Sequence, residues 1–367
     1  MLKYFFALII LMHGLIHFMG FAKAFGYGNI TQITKEVSKP EGFFWLLTAF
    51  IFIGATILFL LKKDAWIITS IIAVIISQIL IILVGKDAKF GTIANIIILV
   101  MAIFAAADIR FNKTIKKEVR TLLSNAVIDR AIITEQMLNG FPPIVHKWLI
   151  NSGIVGKQKI SIVRLKQTGE MITKPGGKWK PFTAKQYFTI DTPAFNWQVK
   201  AKIIPLLTLA GRDKFENGEG EMLIKASPLI TIVNEGHNTK MNESTMLRYL
   251  AEISWFPSAV LTRYIKWEPV DSVSAKATMI YKDLKVSGIF HFSNSGDILS
   301  FEGNRFYKNG KQESMEKWFV ENRDHKEING IRIPTKSKVI WKLREGDFHW
   351  LNLEITEIEF NTPELYQ

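Results

Sequence analysis

The stretch AWIITSIIAVIISQILIILV, residues 65–84, carries no charged side chain over twenty positions. A helix of that length spans about 30 Å at 1.5 Å per residue, the thickness of a bilayer's hydrocarbon core, and satisfies its own backbone groups there. It reads as a transmembrane helix. Working outward, Tyr4 to Phe25, Phe43 to Leu61 and Gly91 to Ile109 read the same way. Lys62-Lys63-Asp64 allows only a tight hairpin before residue 65, and Gly26 to Gly42, with Pro40, reads as a polar loop outside the membrane.

Orientation follows from where Lys and Arg collect, since positive flanks stay cytoplasmic. One side holds Lys3, Lys62, Lys63, Arg110, Lys113, Lys116, Lys117 and Arg120; the other holds Lys23, Lys35, Lys39, Lys86 and Lys89. The expectation is a protein integral to the bacterial cytoplasmic membrane, with its large C-terminal domain in the cytoplasm. Lys3 and the Ala22-Lys23-Ala24 triplet also fit a cleaved signal peptide, which would leave three spans and the same sidedness. His13 and His17 share a helix face. They read either as a metal, haem or proton-relay site with Gln78, Asn95 or Asp108, or as neutral histidines bonded to neighbouring helices that Gly14 and Gly20 bring close.

Of 367 residues, 48% are hydrophobic and the mean hydropathy is +0.15, too apolar for an ordinary soluble enzyme. The formal net charge is +13, and up to Ile109 only eight Lys stand against five Asp or Glu, so the rest of the chain is itself basic. Anionic headgroups of the bilayer are the partner this favours, and nucleic acid is not expected. With no cysteine, thiolate nucleophiles, disulfides and Cys-ligated metal sites are excluded. No P-loop, H-E-x-x-H or nucleophile elbow occurs, and neither a cofactor nor a metal is expected.

Residues 1–110 thus form a transmembrane region, 111–155 juxtamembrane and connecting helices, and 156–367 an antiparallel β-rich domain. Phe111, Ile115, Val119, Leu122, Leu123 and Ala126 recur at helical spacing between Lys and Arg, predicting an amphipathic helix on the membrane surface or continuing the fourth span. Short β-branched and aromatic runs then follow over Lys159–Met171, Lys178–Ile190, Phe195–Ile203, Leu207–Phe215 and Glu219–Ala226. NESTMLRYLAEISWFPSAVL, residues 242–261, breaks in with helical spacing, interrupted at Pro257. More strands run from Ser274 to Phe360, with turns at Asn294-Ser295-Gly296, Asn309-Gly310 and Asn329-Gly330. Strands, one helix, then strands predict an antiparallel curved sheet, half-barrel-like, with covering helices, after four transmembrane helices. Such a sheet can enclose an apolar pocket.

The blocks RYLAEISWFPSAVL and WEPVDSVSAKAT, with LKQTGEM and KPFTAKQYF upstream, resemble an uncharacterised bacterial family with a domain of unknown function, over roughly Phe141 to Phe360. The resemblance implies no activity. By architecture alone the domain also resembles the half-barrel carriers of lipoproteins and lipids in bacterial envelopes.

Ligand-binding candidates follow from chemistry at these positions. Arg248 and Glu252, four apart and flanked by Tyr249 and Trp255, would present a cation and a carboxylate to a hollow in the sheet, or else form a plain helical ion pair. Trp267, Glu268 and Asp271 open the second strand set; the two carboxylates suit acid–base work or turn chemistry around Pro269. Glu170, Arg305 and Arg332 alternate with apolar neighbours and would need partners if they face inward. Two functions are expected from this: a module binding a lipid or other amphiphile, or an enzyme acting on a membrane-derived substrate through Glu252, Glu268 or Asp271.

Overall fold

The structure is a computed structural model describing residues 2–204, 207–310 and 312–366. Two compact units divide it, Met1–Phe111 and Asn112–Gln367. The first holds α1 (Leu2–Ile16), α2 (Phe18–Phe25), α3 (Lys39–Leu60), α4 (Trp66–Val84) and the start of α5 (Gly91–Ser124). With α1 and α2 in series, these give four helices long and apolar enough to cross a membrane. Helix α3 begins earlier than the loop assignment of Pro40 allowed. The Ser38 hydroxyl accepts from the Glu41 N–H while the Glu41 carboxylate accepts from the Ser38 N–H at 2.7 Å, and Pro40 sits in the first turn, where no N–H is needed.

Inside this unit the usual order of polarity is inverted. Ser70, Ser77 and Asn95 are buried, while Ile68, Ile72, Ile75, Ile79 and Ile82 of α4 point outward as an exposed stripe. Such a stripe is stable against lipid and costly against water. The two glycines do bring helices together: a Cβ on Gly14 would stand 2.8 Å from that of Phe52, and one on Gly20 would stand 2.1 Å from the Trp45 ring.

Helix α5 runs unbroken to Ser124, so the amphipathic segment continues the fourth helix. In the second unit it is followed by α6 (Pro143–Asn151), then β1 (Ile162–Met171), β2 (Lys180–Thr189), β3 (Ala194–Ile204), β4 (Leu207–Glu216), β5 (Glu219–Ala226) and β6 (Ile230–Gly236). Helix α7 (Thr239–Glu252) and two 3-10 turns lead to β7 (Ile265–Pro269), β8 (Ser274–Tyr281), β9 (Leu284–Phe292), β10 (Ile298–Asn309), β11 (Gln312–Ile328), β12 (Ile331–Leu343) and β13 (Gly346–Phe360). The edge strand β6 was not legible as a strand: it pairs on one side only, and Ile230 and Ile232 stay exposed, so no alternation marks it.

Among the described residues one antiparallel sheet orders its strands β6-β5-β4-β3-β2-β1-β13-β12-β11-β10-β9-β8-β7. The chain starts in the middle, meanders to one edge, crosses by α7 to the other edge, and meanders back to close against β1. Bulges at Lys166/Gln167 and Val339/Ile340 bend the central strands. Curling then brings β6 to β10, where Lys308 and Glu235 pair at 2.5 Å, and the Lys282 ammonium reaches the Asn217 carbonyl. The result is an open, strongly curved half-barrel with α7 inside.

Helix α7 is buried nearly all round from Ser244 to Glu252. Asn238 caps it by accepting from the Met241 N–H at 2.9 Å. Its seat is cut by two glycines. A Cβ on Gly220 would lie 2.3 Å from Thr245 Oγ1 and 2.8 Å from the Met241 carbonyl, and one on Gly303 would lie 3.1 Å from Leu247. Pro257 does interrupt the helix, which gives way to 3-10 turns at Ile253–Trp255 and Pro257–Leu261.

Candidate functional site

Strand register decides which side chains face α7. Opposed residues share a face, and alternate residues along a strand do too. Starting from buried Phe188, the pairs Phe188↔Val163, Phe188↔Phe195 and Phe195↔Phe215 place one inward row on β1 to β4. The row contains Leu165 and Gln167, Ala184 and Gln186, Trp197 and Val199, and Gly211 and Asp213. Across the sheet Phe290↔Phe301 and Gly303↔Trp318 put Arg305, Trp318 and Trp341 inward as well.

This inward face has two halves. One half packs shut: Phe188 lies 4.7 Å from Phe256, and Trp148 of α6 covers Trp267, Phe290 and Phe292 at 5.9–6.5 Å. Toward the other ends of the strands, Met171, Val199, Leu209, Ile224, Tyr307, Leu343, Phe348 and Leu353 are only partly covered. All eight are apolar or aromatic. Lys180, opposite Met171, and Glu316, opposite Arg305, share their face, so the partly covered half is mainly apolar with a charged margin.

Ionised groups mark the boundary between the halves. Arg248 donates from Nε to Glu252 at 2.8 Å and from a terminal nitrogen to Asp213 at 2.6 Å, with its guanidinium over Phe195 and Trp197 at 5.0 and 4.7 Å. Gln186 donates to the second Glu252 oxygen at 2.8 Å, and Trp197 donates to Gln167 at 2.9 Å. Burial pushes the Glu252 carboxyl above the usual range against the pull of Arg248. Burial alone would lower the Arg248 guanidinium; Glu252 and Asp213 outweigh it and hold it above its ordinary value.

Arg305 is placed differently. Its guanidinium lies over the Trp318 ring at 4.9 Å and the Trp341 ring at 5.8 Å, and its Nε finds no acceptor. Burial lowers it to about 10, still cationic at neutral pH. The indole N–H of Trp318, one Asp213 oxygen and the Gln186 carbonyl oxygen are also buried without partners. Interiors rarely tolerate so many.

Of the sequence candidates, Arg248, Glu252 and Arg305 are brought to this boundary. Tyr249 is buried beside them, its hydroxyl donating to the Thr189 carbonyl at 3.1 Å and meeting that of Tyr264 at 3.1 Å. Trp255 and Trp267 pack in the closed half. The remaining three stand apart: Glu268 is exposed near Lys276 at 3.9 Å, Asp271 accepts from the Val273 N–H in a turn, and Glu170 accepts from Asn352 on the outer face. Arg332 points outward to Asp297. Asp213, Gln186 and Gln167 went unnoticed, although each is a polar residue in the apolar phase of its strand, as in Leu209-x-Gly211-x-Asp213-x-Phe215.

Residues 139–360 match a family of unknown function, DUF6920. The chain belongs to that family. The DUF6920 region thus holds the whole sheet, α6 and α7, together with the ionic boundary. No curated protein matches the chain. Three solved structures are loosely similar to it. A domain assigned as an outer membrane lipoprotein-sorting protein from Vibrio parahaemolyticus shares 7% identity at a TM-score of 0.35, over 60% of this chain and 91% of its own. A LolA superfamily protein from Nitrosomonas europaea shares 9% at 0.34, over 63% and 94%. A DUF1329 family protein from Desulfovibrio piger shares 10% at 0.33, over 59% and 90%. Likeness at this level carries no argument about ligand.

A second concave place lies outside the hollow. An open cleft of about 250 Å³ is lined by Asp129, Lys159, Asp191, Arg263 and Tyr264. Burial, with help from Asp129, raises the Asp191 carboxyl. In the first unit the histidines are hydrogen-bonded: His13 Nε2 lies 2.8 Å from Asn95 Oδ1, and His17 donates from Nδ1 to the His13 carbonyl at 2.7 Å while its Nε2 meets Ser77 at 2.9 Å. Asn95 Nδ2 donates on to Ser77 and Gln78.

Proposed function

We propose that the DUF6920 domain binds a lipid or other amphiphile, with the apolar part lying along the partly covered half of the inward face. The observation supporting this is that Val199, Leu209, Ile224, Leu343, Phe348 and Leu353 share one concave face yet remain incompletely packed. Burying such residues contributes about 25 cal/mol per Å² of apolar surface removed from water, so the surface they leave open favours an apolar ligand. Of the three carboxylates expected for an enzyme, Glu252 is buried beside α7's partners while Glu268 and Asp271 are exposed.

The reading is tested with full-length protein purified in detergent, extracted with solvent and measured for lipid by mass spectrometry. Leu353→Asp places a carboxylate in the open half, where partial exposure lets the variant fold. It should lower retained lipid, and the capture of a fluorescent fatty acid, by at least about tenfold. Equal lipid in variant and parent would sink the reading, since lipid around the four helices is common to both.

We further propose that those helices span the bacterial cytoplasmic membrane and leave the DUF6920 domain inside. The excess of Lys and Arg at Lys3, Lys62, Lys63 and Arg110 to Arg120 supports this. Because the chain has no cysteine, Ser124→Cys would be its sole thiol. Intact cells should protect it from a membrane-impermeant maleimide, and lysis should expose it. Labelling in intact cells would reverse the assignment.

A further inference from the structure

Resting on the amphiphile reading, we propose that Arg305 is the seat of the ligand's oxyanion, a carboxylate or phosphate joined to the acyl chain. Register sets its direction: Phe301, Gly303, Arg305 and Tyr307 alternate on the inward face of β10. Phe301 belongs to the packed half and Tyr307 to the partly covered half, so Arg305 stands at the border between them.

The charges inside the hollow are unequally provided for. Arg248 takes both nearby carboxylates, Asp213 and Glu252, in hydrogen-bonded pairs. Among the described residues Arg305 has neither hydrogen bond nor ion pair; its guanidinium lies over two indole faces, feels the Asp213 and Glu252 carboxylates at a distance, and stands opposite Glu316 on the neighbouring strand. Cation–π contact offsets part of its desolvation but satisfies no N–H. The Trp318 indole N–H beside it is likewise without an acceptor. The unpartnered Arg305 donor suits a group that accepts, and an ionised carboxylate or phosphate does that with several lone pairs, although the boundary also holds two unpartnered acceptors, Asp213 Oδ1 and Gln186 Oε1.

The test uses the full-length protein in phosphatidylcholine nanodiscs with four probes: dodecanoate, its uncharged methyl ester, dodecyl phosphate and inorganic phosphate. Arg305→Met keeps the stem packed against the indoles, and Arg305→Lys keeps the charge. Dodecanoate or dodecyl phosphate should bind at least about tenfold tighter than the ester, Met should erase that preference, and Lys should restore part of it. The better of the two anionic probes identifies the headgroup, and inorganic phosphate should compete only weakly because it lacks the chain. Equal binding of ester and anions, unchanged in Arg305→Met, would overturn the oxyanion seat and leave the amphiphile reading intact. Failure of every chain-bearing probe would overturn both. Tight binding of inorganic phosphate with no gain from a chain would also count against the proposal.

Discussion

Replacing Arg248 by Met is expected to lower the unfolding free energy of the full-length protein by about 3–5 kcal/mol, the usual consequence of removing one partner from a buried ionic group. Asp213 and Glu252 would then be enclosed with no cation hydrogen-bonded to them. A methionine fills similar volume over Phe195 and Trp197, so the loss is electrostatic more than one of packing. Adding Asp213→Asn and Glu252→Gln to the same chain should recover most of it, because the charges needing compensation are gone. Urea titrations followed by tryptophan fluorescence measure both. A Met variant that unfolds within about 0.5 kcal/mol of the parent would mean that the triad does not hold α7 in place. The pH dependence carries its own sign. Glu252 is raised in the folded state above its ordinary value of 4.5, so its contribution to stability is greatest below that pH and is lost as pH rises through the folded value. Glu252→Gln alone should therefore flatten the decline above pH 4.5, and an unchanged profile would remove Glu252 as its source.

Gly220→Leu, at the buried second position of β5, should be strongly damaging. The first added carbon already collides with Thr245 and with the backbone carbonyl of Met241, and a carbonyl in a helix cannot swing aside as a side chain can. Asn242 accepts from the Gly220 N–H at 2.8 Å, so pushing α7 away also breaks that bond. Overpacking costs about 1–3 kcal/mol in general, and this site lies at the upper end because the obstacle is main chain. Limited proteolysis should show α7 released and cut between β6 and β7, while the helical first unit survives. A variant as resistant as the parent would show that α7 has room to shift.

The four apolar helices were legible because a charge-free run of twenty residues has few alternatives, and the curved antiparallel sheet because short runs met Asn-Gly turns. Pro40 misled the reading of α3, since a proline in a first turn looks the same in sequence as one in a loop. Arg248 and Glu252 were visible as an i,i+4 pair, but Asp213 was not, because its partnership crosses 35 residues and depends on the sheet curling over the helix. The phase of each strand did hold the information: Gln167, Gln186, Asp213 and Arg305 are each a polar break in an apolar row. Four such breaks became one site only once register set the strands side by side. Glu170 and Arg332 sit in the opposite phase, one position away from apolar inward residues, which is why alternation alone left their direction open.

The order of the strands has a kinetic consequence. Most neighbours in the sheet are also neighbours in the chain, so each meander can form quickly from nearby segments. The central seam is the exception: β1 must find β13, joining Arg164 to Glu359 across 195 residues. That seam has the largest loop-closure entropy in the sheet, and it involves the last of the sheet's strands to be synthesised. Until then β1 keeps one open edge in the nascent chain. The half-built sheet is thus the species most exposed to aggregation, and chaperone dependence should peak before residue 360 is synthesised.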